Sequence, residues 1–547
     1  MARIIRICSF AAIAAVLSSV PPVSARAVEP SALSRYVSAR ILDASEPDSK
    51  AVEIYAQALT GAPDNERIAL RAYREAVEAG DKALAIRAAR ALDTLQRLPQ
   101  DARLLLFTES LAKGDWRGAK LWLDRIEEAD GFDFIVPGLR AWTALGARDT
   151  DPLAEPERQA SDVLGFAYMR EQRVLLLLAL RQVDEGLVAA KAQTRIDGRG
   201  LPLRLAAAAR LVALKERPKA IELLGSNDPT IRDARAIVEA GRPLPGAIDS
   251  ASAGAAMLIG RVASDLVRDS PSPASLTIAR IASFAAPDND AMKLTLAQTL
   301  ANNGRANEAL TVLDSVGPPY ESAVREIRIA TFQRMDRLTD ALAEAQAAIT
   351  LPDASLFDYA RLGDAHARLK HYTDAANAYY EAIKLAGDDP PWNLWLLYGG
   401  ALDQAGDWMK AKPALERAVA SGPDQPAALN HLGYAMLEHG GDLIEATRLI
   451  AKASSLRPDD AAITDSLGWA FYLRGQPEQS IPLLEQAVAA DPTEAALGEH
   501  LGDAYWAAGR RVDARYAWRA ALIQAEEADV TRRIEGKIVD GPRLPAK

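Results

Sequence analysis

Apolar positions in the second half of the chain recur at helical spacing, and the helices they predict recur at a longer one. From Trp392, a stripe of Trp395, Tyr398, Gly399 and Leu402 runs at steps of three and four residues. Gly406 interrupts it. Trp408, Ala411, Leu415 and Ala418 then form a second stripe that closes at Pro423. Spacing of this kind marks amphipathic helices, and period-two alternation, the sign of strands, is missing from the pattern. The same order returns as Leu429, Leu432, Gly433, Met436, Gly440, Ala446, Ile450, Ala453 and Pro458, with one extra residue beside Gly441. It returns again as Leu467, Gly468, Phe471, Gly475, Ser480, Leu484, Ala487 and Pro492, and as Leu501, Gly502, Tyr505, Gly509, Ala514, Trp518 and Ala521. The first-stripe glycines stand at 363, 399, 433, 468 and 502, with gaps of 36, 34, 35 and 34.

Packing explains each position. Gly399, Gly433, Gly468 and Gly502 are predicted where two helices of one repeat cross too closely for a side chain, with Ala411, Ala446 and Ala514 facing them. Trp395, Tyr505 and Trp518 are predicted to fill the space between repeats. Gly406 and Gly475 end the first helix, because glycine enters the left-handed region without penalty. Residues 290–525 read as about seven repeats, starting near 290, 322, 356, 392, 426, 461 and 495. Upstream the phase weakens. Residues 26–240 read as degenerate helical repeats, with Tyr55, Gly80, Ala85, Leu92, Gly114, Ala119 and Leu123 still legible. The stretch 241–254, with Gly241, Pro243, Pro245 and Gly246, reads as a linker or an irregular inter-repeat loop. The expected division is therefore 26–240, a junction at 241–254, a solenoid over 255–527 that is regular from 290, and a charged cap and tail over 528–547. About 11 to 14 helix pairs are expected in all.

A period near 34 with these residues resembles the tetratricopeptide repeat. The resemblance implies an all-α fold, a tetratricopeptide-type helical solenoid wound as a superhelix. It also implies that the first helices line a concave face. The inward positions are then Leu396, Gly400 and Asp403; Asn430, Tyr434 and Leu437; Asp465, Trp469 and Tyr472; and Glu499, Asp503 and Trp506. Asn430, Tyr434, Asp465, Trp469, Tyr472, Glu499, Asp503 and Trp506 form the candidate protein-binding groove, where rings and carboxylates together suit a basic or apolar peptide segment. The competing reading stacks the rings as core. The basic clamp that some tetratricopeptide domains use on a terminal carboxylate is not evident, since the charged inward positions are acidic.

Composition adds a compartment. Arg3 and Arg6, an apolar run from Ile4 to Leu17, and the small residues Val23, Ser24 and Ala25 match a cleaved secretion signal over residues 1–25, with a cut after Ala25 or, as the alternative, Ala27. The expected location is the periplasm. Cys8, the one cysteine, lies in that leader behind Arg6 and Ile7, which do not form a lipobox. The mature chain then holds no disulfide and no thiolate metal site. The formal charge is −10, and loss of the leader takes it to −12. An acidic surface does not attract nucleic acid or anionic lipid, and no second apolar run reaches spanning length.

Little points to catalysis. The five histidines, His366, His371, His431, His439 and His500, all lie in the repeats. None forms a His-Glu-x-x-His pair, and no phosphate loop or Gly-x-Ser-x-Gly elbow occurs. No cofactor, metal or enzymatic role is expected. The segments Leu429–Met436, Pro458–Trp469 and Glu499–Trp506 resemble the tail of long proteobacterial envelope tetratricopeptide proteins, closely over 425–525 and loosely over 290–525. In that subfamily an outer-membrane lipoprotein holds a periplasmic carboxyl-terminal processing protease and presents peptidoglycan hydrolases to it. The resemblance implies a non-catalytic scaffold or adaptor with such a protease and its substrates as partners. An assembly factor for outer-membrane proteins, polysaccharide export or peptidoglycan synthesis is the alternative.

Overall fold

A recurrent dipeptide does much of the folding. In Gly80-Asp81, Gly114-Asp115 and Gly406-Asp407 the glycine ends one helix and the aspartate begins the next. Gly406 has φ +80°, and the Asp407 side chain accepts the backbone N–H of Lys410, which supplies one of the donors a helix start leaves unpaired. The chain therefore turns in three or four residues and packs each helix antiparallel to the last.

The computed structural model describes residues 31–45, 50–129, 131–154, 163–193, 200–226, 228–267, 272–351 and 354–542. The predicted leader with its cut site, the predicted joint at Pro352 and the tail from 543 lie outside the described residues. Among those described, every regular element is a helix, and none is long and apolar enough to cross a membrane. The all-α repeat solenoid expected from the sequence is the fold observed.

The helices form two compact units. Residues 1–214 with 247–295 make one, and residues 215–246 with 296–547 make the other. This differs from a single division at 241–254. Helices Ala251–Val267 and Pro273–Ala285 belong with the amino-terminal unit because they pack back on its early helices, Glu66–Ala79, Gln100–Ala112 and Val136–Ala147. Arg280 donates to the carbonyl of Glu78 at 3.0 Å, and Lys82 to that of Phe284 at 2.6 Å. Trp142, fully buried, packs against Gly254 and donates its indole N–H to Gln172 at 2.8 Å.

In the second unit the regular repeats are the pairs Leu356–Arg368 with Tyr372–Ala386, Trp392–Gln404 with Trp408–Ser421, Pro426–Glu438 with Leu443–Leu456, Ala461–Leu473 with Pro477–Ala490, and Ala495–Ala507 with Arg511–Gln524. From Trp392 on, each first helix touches the first helix of the next pair, so these helices share one face. The predicted crossings are present: a Cβ on Gly399 would meet Leu415 at 2.7 Å, and one on Gly433 would meet Ile450 at 2.6 Å. Ala411, Ala446 and Ala514 are fully buried opposite them. The last helix, Ala528–Asp540, is more than a solvating cap. It buries Ile534 completely against Ala514, Trp518 and Ala521.

Candidate functional site

Successive first helices repeat two inward positions relative to their glycines. The position three before the glycine holds Leu396, Asn430, Asp465 and Glu499. The position one after holds Gly400, Tyr434, Trp469 and Asp503. A groove of about 900 Å³ opens on this face, and its lining includes Asn430, His431, Tyr434, Asp465, Ser466 and His500. Two clefts in the amino-terminal unit are about half that size, at 480 and 460 Å³.

The eight candidate residues fall into three groups. Asn430, Tyr434 and Asp465 line the groove. Trp469 and Tyr472 form a stack with His500: Trp469 lies 4.7 Å from Tyr472 and 4.1 Å from His500, each at 18° between planes. Glu499, Asp503 and Trp506 lie beneath the terminal helix. Arg533 grips Glu499 side-on through two hydrogen bonds of 2.8 Å, and Lys537 bonds Glu499 and Asp503 at 2.6 Å each. Trp506 sits against Trp518, ring centroids 5.5 Å apart, and against Gly541. These three residues therefore have an intramolecular occupant. Leu437, also expected to point inward, is core, packed with Leu429, Met436 and Ile450.

The histidines, for which the sequence suggested no catalytic or metal role, are tied into this face by carboxylates. His500 Nδ1 lies 2.8 Å from Asp465 Oδ2. His439 Nε2 lies 2.7 Å from Asp403 Oδ1 and stacks on Trp408 at 4.3 Å. His431 and His500 hold the same place two residues before their glycines. The recurrence is visible in the sequence, but the carboxylates that bond His500 and His439 come from the preceding repeat. Burial disfavours the charged form of His500, yet Asp465, Asp503 and Glu499 outweigh it and raise its pKa. His431 is lowered, because burial there exceeds the pull of Asp403.

The groove is electronegative. Tyr434 is pushed up by burial and then by the charges of Glu438, Asp465 and Glu499. Several acids are already committed: Asp460 caps its helix by accepting from Ile463, and Glu494 accepts from Ala496. Two acceptors are not. Asp465 Oδ1 and Asn430 Oδ1 are buried and receive no hydrogen bond from the chain. Buried acceptors left so cost about 1–3 kcal/mol each, which is why such atoms mark either strain or a binding role.

One group among the described residues could converge on a metal ion: His366, His371 and Asp374, at the turn between Leu356–Arg368 and Tyr372–Ala386. Their ligand atoms lie within 4.8 Å of one another. The arrangement offers no base poised on a nucleophile.

Comparisons agree with the repeat geometry. Family profiles described as tetratricopeptide repeat match residues 359–389, 392–435 and 466–529, so this part of the chain carries tetratricopeptide repeats. No curated protein matches. Solved structures resembling the chain include a thermophilic TPR protein of Thermus thermophilus, at 20% identity and TM-score 0.31 over 34% of this chain and 100% of that one. Another is a tetratricopeptide repeat protein from Parabacteroides merdae, at 14% and 0.38 over 45% and 96%. A third is MamA from Desulfovibrio magneticus, at 20% and 0.28 over 31% and 94%.

Proposed function

We propose that this chain is a non-catalytic scaffold whose first-helix face, between Leu396 and His500, holds a segment of a partner protein. One observation carries the reading. The groove of about 900 Å³ is lined by first-helix residues of successive repeats, and two of its buried acceptors have no partner in the chain. Tetratricopeptide repeats are protein-interaction modules, and a trough continuous across repeats suits an extended segment.

The leader-like residues 1–25 support export, with a mature chain that starts at Arg26. The resemblance of residues 425–525 to the envelope subfamily supports a periplasmic adaptor that brings cell-wall hydrolases to a carboxyl-terminal processing protease. A photo-crosslinking residue at Tyr434, in the native host, tests both levels. The control places it at Met409, which is 84% exposed on a second helix. A discrete adduct from Tyr434 in the periplasmic fraction, carried by a chain whose intact mass begins at Arg26, is the expected result. A protease or hydrolase in that adduct supports the adaptor role, and a barrel-assembly, export or synthase component supports an assembly factor instead. Adducts from Met409 alone would move the interaction to the second-helix face, where Met409, Ile444 and Val512 recur exposed.

A further inference from the structure

We infer that the groove contains an arginine subsite, formed by Asp465 and Asn430, of the same kind that the chain already fills with its own Arg533 one repeat later. The inference rests on the groove reading above and names the chemistry of the segment held there.

The ladder of equivalent positions carries it. Asn430, Asp465 and Glu499 stand three residues before Gly433, Gly468 and Gly502. At the last step the occupant is visible: the Arg533 guanidinium lies side-on against Glu499, with Nε and Nη2 each 2.8 Å from one carboxylate oxygen. One step back, Asp465 is 5% exposed and has one oxygen engaged by His500, while Oδ1 accepts nothing from the chain. One step further, Asn430 Oδ1 accepts nothing either. Both residues line the groove.

The ligand chemistry follows from what these atoms lack. Both are acceptors, so the group that satisfies them is a donor. They belong to different helices, and a planar group with several spread donors suits two separate acceptors better than a compact ammonium does. A guanidinium has five donors and no acceptor. Charge points the same way, since Glu438, Asp403 and Asp460 line the groove with Asp465, and Arg457 is the one lysine or arginine beside them. The Tyr434 ring, in the same lining, offers a flat face for guanidinium stacking. The occupant is therefore an arginine-bearing segment of a partner protein, laid along the same ladder that ends in the terminal helix.

A fluorescent hexa-arginine peptide, titrated against the full chain by anisotropy, tests this, with hexa-lysine and hexa-citrulline peptides beside it. Citrulline keeps the planar shape and loses the charge. Hexa-arginine is expected to bind about tenfold or more tightly than hexa-citrulline, and more tightly than hexa-lysine. Asp465→Asn should weaken hexa-arginine by about tenfold, and Asn430→Asp should strengthen it several-fold, on the order of 1 kcal/mol. The gain in the second variant decides the matter if the first, deprived of its His500 partner, misfolds. Equal binding of the arginine and citrulline peptides, or no response to both substitutions, overturns the subsite. Loss confined to Glu499→Gln also overturns it, because the probe would then be displacing Arg533 rather than filling the equivalent site. If Tyr434 still crosslinks its native partner in any of these cases, the groove reading stands and only its arginine chemistry falls.

Discussion

Replacing Lys537 by methionine should loosen the terminal helix by about 3 kcal/mol, the usual penalty for taking one partner from a buried ion pair. Lys537 is only 16% exposed in its side chain and serves both Glu499 and Asp503, which are about 5% exposed. Without it, Asp503 keeps the Trp518 indole N–H at 3.0 Å as its remaining donor. Arg533→Met should cost less, about 1 kcal/mol, because the Arg533 side chain is 55% exposed and screened by water. Hydrogen exchange of residues 528–540 reads the effect locally, which matters because a chain of two units need not unfold in one step. Acid should act on the same contact. Burial pushes Glu499 upward, but Arg533 and Lys537 outweigh it and hold the carboxyl down to about 2. A depressed carboxyl contributes stability that is present above its ordinary value near 4.5 and lost as pH falls toward 2. Asp503 has the opposite sign, since burial and the Glu499 charge raise it. Protection of the terminal helix should therefore fall between pH 4.5 and 2 in the parent, and Glu499→Gln should remove most of that fall. Equal exchange in Lys537→Met and the parent would mean that Ile534, Arg533 and the Arg515 bond to the Ile538 carbonyl dock the helix without Lys537.

This contact was invisible in the sequence for a physical reason. Arg533 and Lys537 are four apart on a helix, which reads as a solvated basic face, and their acids lie 34 residues upstream. Only the return of the chain over its own groove joins them. Small residues were legible because close crossings tolerate nothing else, so Gly399, Gly433, Gly468 and Gly502 announced both the repeats and their phase. The earlier repeats hid where the punctuation changed. The turn filled by Gly406 is filled by Lys370, Asp336, Lys215 and Arg181 in earlier pairs, at φ +60°, +56°, +68° and +64°. Those side chains enter the left-handed region at a cost of about 1–2 kcal/mol, and a pattern that looks for glycine misses them. Helices end at Glu239 and restart at Ala251, and the Pro/Gly composition between them says nothing about which helices the following segment packs on. Leu437 falls in the core instead, because a position near a helix end can turn toward the packing of its own pair.

Substituting leucine for Gly468 should disrupt the repeat that carries the groove, at a cost of about 3 kcal/mol or more. A Cβ there would sit 2.7 Å from Leu484 Cγ, 2.8 Å from its Cδ2 and 3.3 Å from the Ser480 carbonyl oxygen. Leu484 is fully buried and cannot step aside, and the Ser480 oxygen is backbone, so the two helices must separate. Gly475, in the turn just beyond, gives the contrast. It has φ +72° and open space around it, so Gly475→Ala pays only for the left-handed backbone, about 1 kcal/mol. In a Leu484→Ala background, Gly468→Ala should recover part of the cost it carries in the parent, because the atoms its Cβ would meet are gone. That recovery separates a steric cause from a dihedral one. The same helix carries Asp465 and Trp469, so its displacement should also reduce crosslinking from Tyr434 even where circular dichroism stays helical. Thermal melts together with hydrogen exchange over residues 461–490 measure the fold. A Gly468→Leu chain that melts and exchanges like the parent would place the close crossing elsewhere, and the inward assignment of Asp465 would move with it.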